Sequence, residues 1–259
     1  MTKILLALPF WVLLCESGFA QYPFEKYKAP PERNVPKWVD STSESDDEKF
    51  VESTSLSLNT VFPGSDKCDI RVEPPEENVS DDDDISKISI FRNDRLVQTF
   101  VDSSAPRMYF SWGITALADY NGDGLTDIRI VVPYMTNGLG LDEWDIYLIQ
   151  NRDGHFTKIA FHNLYSAERP ERDMDNDGHF VVIGMELEEY KEHNYFVYNL
   201  YKFSGDSLLS VSDRFGYPLM YRFLKKTNYK VAKDVPDWIR STFLLSKPKE
   251  YTVDEGTRY

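Results

Sequence analysis

One nine-residue loop and its copy constrain this chain more than any other feature. Asp119-Tyr120-Asn121-Gly122-Asp123-Gly124-Leu125-Thr126-Asp127 places oxygen-bearing side chains at positions 1, 3, 5 and 9. Gly124, at position 6, allows a sharp turn, so those oxygens can converge. The carbonyl of Leu125 can fill a gap in the ring. Calcium takes about six to eight oxygens in irregular geometry, whereas magnesium demands a stricter octahedron. The loop therefore reads as a calcium site. It is not an EF-hand, because Ile130 stands at position 12, where that loop needs a bidentate Glu.

A second loop, Asp173-Met174-Asp175-Asn176-Asp177-Gly178-His179-Phe180-Val181, begins 54 residues later. Tyr147 and Tyr201 share the same offset, which marks a real internal repeat. Asp173, Asp175, Asp177 and the carbonyl of His179 are the candidate ligands here. Val181 replaces the acid at position 9, so this loop lacks one ligand.

The rest of the chain after residue 86 alternates in the manner of strands. Ile88 to Phe91 and Leu96 to Val101 flank a turn at Arg92 to Arg95. DIYLIQ (Asp145 to Gln150) and HFTKIAF (His155 to Phe161) flank Asn151-Arg152-Asp153-Gly154. Tyr195 to Phe203 and Ser207 to Val211 flank Ser204-Gly205-Asp206. Asp-Gly and Gly-Asp between β-rich runs are hairpin signals. Tyr217 to Lys230 is ambiguous. Asp234-Val235-Pro236-Asp237 marks a helix start, with Trp238, Ile239 and Phe243 facing the core.

Residues 110–134, from Phe110-Ser111-Trp112-Gly113 through DYNGDGLTDIRIVVP to Tyr134, resemble one FG-GAP (VCBS-type) repeat. Trp112-Gly113 stands where that family has Phe-Gly, and Val131-Val132-Pro133 where it has Gly-Ala-Pro. The following DIYLIQNRDGHF is similar to the family's outer hairpin. The resemblance implies side-chain ligands at Asp119, Asn121, Asp123 and Asp127, with the carbonyl of Leu125. It covers roughly residues 86–211, and the Ile88 to Val101 hairpin reads as the remnant of an earlier copy. In the family such repeats form propeller blades. Two or three copies are too few for an ordinary closed propeller. The expected fold is all-β and mainly antiparallel, a reduced β-propeller-like fold or β-sandwich with a short C-terminal helix.

Charge separates this domain, residues 86–259, from what precedes it. The 259-residue chain carries a net charge of −14, and fifteen acidic against three basic residues lie between Asp40 and Asp84. Such acidity lacks the basic face a nucleic-acid binder needs. Residues 21–85, rich in Pro, Ser and acids, read as a largely disordered tether, with residues 51–85 intermediate and Leu56, Leu58 and Phe62 hinting at one strand. Asp81 to Asp84 read as a solvated run, with calcium or a basic partner as the alternative. Cys68 is expected in poorly ordered acidic surroundings that raise its pKa.

Met1-Thr2-Lys3, the apolar run Ile4 to Leu14, and Gly18-Phe19-Ala20 before Gln21 have the order of a signal peptide, residues 1–20. The run is too short to span a bilayer. Cys15 invites a lipoprotein reading, but Leu14 stands where a lipobox carries Gly, Ala or Ser. The expected location is secreted or periplasmic, with no transmembrane segment.

No Gly-x-Ser-x-Gly, His-Glu-x-x-His or phosphate loop is present. Asp142-Glu143-Trp144-Asp145 reads first as a solvated loop ahead of a strand. Its second reading is a carboxylate set for sugar binding or glycoside chemistry. The stretch from Tyr134 to Trp144 is long and Gly-rich, so Tyr134, Asp142, Glu143 and Trp144 are candidate partner-binding residues. Arg214 to Arg240 carries seven basic and two acidic residues. It reads as a solvated basic face or as a dock for the chain's own acidic arm. The resemblance implies an exported calcium-binding module for an unknown protein or glycan. The alternatives are a periplasmic inhibitor or immunity-like protein that blocks a cell-wall hydrolase, and a secreted glycan-acting hydrolase.

Overall fold

A computed structural model describes residues 24–33, 35–45, 48–73, 86–102, 107–134, 142–169, 171–222, 232–233 and 235–259. The leader, Asp81 to Asp84, residues 135–141 of the long loop and residues 223–231 of the basic stretch lie outside the described residues.

The strands follow the chain closely. They are β1 (Val39–Ser45), β2 (Glu48–Leu58), β3 (Cys68–Glu73), β4 (Ser86–Arg92) and β5 (Arg95–Asp102). Next come β6 (Ile114–Ala118), β7 (Asp127–Tyr134), β8 (Asp142–Gln150) and β9 (Phe156–Leu164). After the second loop stand β10 (Val181–Tyr190), β11 (His193–Ser204), β12 (Ser207–Ser210) and β13 (Leu219–Arg222). A single helical turn, α1 (Asp237–Arg240), precedes β14 (Thr252–Asp254) and β15 (Thr257–Arg258). Every pairing among named strands is antiparallel. The fold is all-β and sandwich-like, and no sheet closes into a barrel among the described residues.

Three sheets stack. The first has the order β1-β2-β3-β4-β5-β15, and the second β14-β9-β8-β7-β6. The third has β10-β11-β12, with β13 also on β11. Alternation along each strand decides which sheet a side chain meets. Ile128, Ile130 and Val132 of β7 pack with Ile70, Ile88, Ile90 and Phe100 of the first sheet. Tyr147 and Ile149 of β8 point the opposite way, onto Val182, Tyr201 and Leu208 of the third. The second sheet is thus the central layer.

The repeat is visible as structure. β7 starts at Asp127 and β10 at Val181, 54 positions apart, as are the ends of β8 at Gln150 and β11 at Ser204. Tyr147 and Tyr201 share one buried cluster. The expected turn after Arg92 is a two-residue hairpin, with Asn93 and Asp94 at φ 49° and 61°. Positive φ at both central residues matches the twist of the flanking strands.

The stretch expected as a tether differs from that reading where it is described. β1, β2 and β3 are strands of the first sheet, in register Leu56↔Ile70 and Ile70↔Ile90. Leu56, Leu58, Cys68, Ile70 and Val72 are buried. The physical reason is the two-residue period: between these buried positions of β2 and β3 stand Ser55, Ser57, Asp69 and Arg71, polar residues of the kind that dominate the composition. Cys68 is fully buried on β3, and burial pushes its pKa up to about 12, with Asp69 adding less.

The C-terminal region also departs from expectation. Pro236 caps α1, but the helix is four residues long and passes into a 3₁₀ turn at Ser241–Phe243. Trp238 is 69% exposed rather than in the core, whereas Ile239 and Phe243 pack on Val197 and Met220. One helical turn cannot present three such positions to the same side. The last residues return as edge strands, β14 on β9 and β15 on β5, joining two sheets. Gly256 at φ +61° makes that crossing possible, because a Cβ there would lie 2.4 Å from the Thr99 carbonyl oxygen.

Candidate metal centre

The first loop joins β6 to β7. Asp119 organises it: Oδ1 accepts the amides of Gly122 (2.7 Å) and Asp123 (3.0 Å), and Oδ2 that of Gly124 (2.9 Å). Asn121 Oδ1 accepts from the Asp123 amide at 3.0 Å, and Asp123 Oδ1 from the Leu125 amide at 2.8 Å. Leu125 is half-buried. Asp127 is fully buried; its Oδ2 accepts from Tyr120 N and its Oδ1 from Gln150 N, both at 2.9 Å. It therefore fastens the loop to the end of β8. Burial pushes the Asp127 carboxyl up to about 7 against those two hydrogen bonds, and Asp123 and Asp119 raise it further. Among the described residues, no Lys or Arg pairs with Asp119, Asp123 or Asp127. A carboxylate oxygen bonded to one amide keeps a second lone pair. Asp119, Asp123 and Asp127 thus offer a hard cation carboxylates with no paired base at one turn, although the three do not converge within 4.8 Å as those of the second loop do.

The second loop joins Arg172 to β10. Asp173, Asp175 and Asp177 bring carboxylate oxygens within 4.8 Å of one another, the one such group among the described residues. Asp173 accepts the amides of Asp177 and Gly178, both at 3.1 Å. Asp177 Oδ2 lies 2.5 Å from Lys202 Nζ, and Asp175 Oδ2 lies 2.6 Å from Arg214 Nη2. The Lys202 hydrogen bond holds the Asp177 carboxyl down at about 2. Val181 is buried as the first residue of β10 and offers no side-chain oxygen. Convergence here accompanies internal neutralisation, so it argues less for a metal than the unanswered charge of the first loop does.

The two loops touch. His179 Nδ1 lies 3.2 Å from the carbonyl oxygen of Asn121, and facing a carbonyl it acts as the donor. Behind the loops, between the second and third sheets, sits a buried polar cluster that the sequence reading missed. Arg129 Nε is 3.1 Å from Glu171, and its Nη2 is 3.2 Å from Asp145 and 2.6 Å from Ser166 Oγ. Tyr147 donates its hydroxyl to Glu171, and Asn163 Nδ2 donates to Asp145 at 2.7 Å. Burial raises the Glu171 carboxyl, although Arg129 and Tyr147 pull it down. The available signal was Arg129 itself, a charge at an inward position of an apolar strand.

The partner-binding candidates are built into strands. Asp142 to Asp145 open β8 rather than forming a solvated loop; Asp145 is 1% exposed and Trp144 faces the first sheet. Neighbouring polar groups meet the carboxylates of Glu143 and Asp142, whereas the buried Trp144 Nε1 has no hydrogen-bond partner among the described residues. Glu143 accepts the Ala167 amide at 2.8 Å, and Asp142 lies 3.1 Å from His162 Nε2. Tyr134 and Asp142 pair in register, closing the neck of the loop. No helix among the described residues is long and apolar enough to cross a membrane. Arg214 meets Asp175 of the second loop, and most of the remaining basic stretch lies outside the described residues. Set beside family models, curated proteins and solved structures, the chain matches none of them.

Proposed function

We propose that the chain is an exported, calcium-stabilised β protein that acts as a binding module for a protein or glycan, with the first loop as its metal site. The observation that carries the metal assignment is the uncompensated charge there, with Asp127 buried beside Asp119 and Asp123. Asp119, Asn121, Asp123 and Asp127 would hold the ion with the Leu125 carbonyl. Calcium would supply charge neutralisation and hold the turn between β6 and β7, stabilising the folded state by mass action.

Export is supported by the leader-like order of residues 1–20. The binding role is supported by the FG-GAP-type resemblance and by the register pair Tyr134 and Asp142, which brackets the Gly-rich stretch 135–141 in the sequence. The test is an affinity pull-down from the native host, with calcium and with chelator. A partner retained only with calcium, and released when residues 135–141 are replaced, supports the reading. Equal recovery in both buffers, or partners unaffected by the replacement, counts against it.

A further inference from the structure

The second loop copies the first in sequence, but two of its three carboxylates, Asp175 and Asp177, form ion pairs within the chain. Lys202 of β11 reaches Asp177 at 2.5 Å and Asp175 at 3.9 Å. Arg214, from the turn after β12, reaches Asp175 at 2.6 Å. Both bases come from the third sheet or its edge, so the pairs anchor the loop to the layer it leads into. Position 9, the buried Val181, adds no oxygen. The loop then meets its copy through one side chain. His179 donates to the Asn121 carbonyl, and a Cβ on Gly122 would fall 2.3 Å from His179 Nδ1. Gly122, at φ +79°, leaves the space that the imidazole fills.

We propose that the second loop is a metal-free brace: Lys202 and Arg214 stand in for a cation, and the loop so held presses His179 onto Asn121 and Gly122, pre-forming the first loop for calcium. The proposal rests on the first loop being the metal site. Its physical basis is preorganisation, since a loop already ordered loses less conformational freedom when the ion binds. Because the pairs are partly exposed, the brace weakens as salt rises.

The test measures calcium bound per intact chain by equilibrium dialysis, with hydrogen exchange at amides 119–124 in chelator as a metal-independent readout. One calcium per chain is expected, lost in Asp123→Asn and kept in Asp175→Asn. Lys202→Met and His179→Ala are expected to weaken it about five- to tenfold and to speed exchange at Gly122 and Gly124. Calcium removed by Asp175→Asn, whether as a second ion or the only one, overturns the brace. So does exchange at 119–124 that neither Lys202→Met nor His179→Ala alters. A chain that binds no calcium, yet shows the faster exchange, upholds the brace and defeats the first-loop metal site instead. If Lys202→Met does not fold, His179→Ala carries the same two readouts, because its half-exposed ring is outside the core.

Discussion

Arg129, two residues past the first loop, and Glu171, two residues before the second, form an ion pair at 3.1 Å with side chains only 5% and 1% exposed. The two halves of the repeat are therefore joined by charge in a closed interior as well as by His179 at the surface. Removing one partner of such a pair strands the other away from water. Arg129→Met should cost about 3–5 kcal/mol, read as a lower urea midpoint with the slope unchanged. A loss within about 0.5 kcal/mol, the range of ordinary surface substitutions, would show that the cluster tolerates an unpaired charge.

Calcium should raise the melting temperature and chelator should lower it. At free calcium about a hundred times Kd, the gain is about 2.7 kcal/mol. Asp123→Ala should abolish the response, because it removes the position 5 oxygen without touching the core. A wild-type melt indifferent to both reagents would remove calcium from the account.

Glu186 gives a pH prediction. Its carboxylate is 3.2 Å from Lys249 and 4.0 Å from His162 Nδ1, yet burial raises its pKa more than those bases lower it. A carboxyl with a raised folded pKa holds its proton longer when folded than when unfolded. Its contribution therefore declines as pH rises from the unfolded value, about 4.3, through the folded one, and is level above that. Glu186→Gln cannot titrate, so its stability relative to wild type should climb across this window and then flatten. Urea midpoints for both proteins over a pH series measure it; a difference independent of pH would contradict the assignment.

Cys68 should be inert in the folded protein. Its thiol is buried between Leu58 and Arg92 in register, with a pKa near 12, so neither access nor thiolate is available at pH 8. A thiol reagent should label it only in denaturant. Prompt labelling of the native chain at pH 8 would mean that β3 opens readily from the first sheet.

The hairpins after Arg92, Asn151 and Ser204 were legible because a turn is chosen by two to four adjacent residues. Leu56 and Leu58 hinted at β2, but β1 and β3 were not legible, although Cys68, Ile70 and Val72 hold a strict alternation. The stretch around them is so rich in Ser and acids that composition outweighed periodicity. DEWD at Asp142 misled for the opposite reason. Charged residues suggest solvent, but Asp145 finds Arg129 and Asn163 on the flanking strands and Ser166 in the turn after β9.

What the sequence by itself determined is local: the spacing of oxygens in two loops, the 54-residue period and the turns that end strands. These depend on neighbours a few bonds away. Tertiary structure decided which loop keeps its charge free. Lys202 and Arg214 lie 25 and 39 residues from the aspartates they meet, Asp177 and Asp175, and the strand pairing of the third sheet, which sets Lys202 opposite Val181, brings Lys202 there. The C-terminal strands were decided in the same way, since an edge strand is defined by the sheet it joins rather than by its own residues.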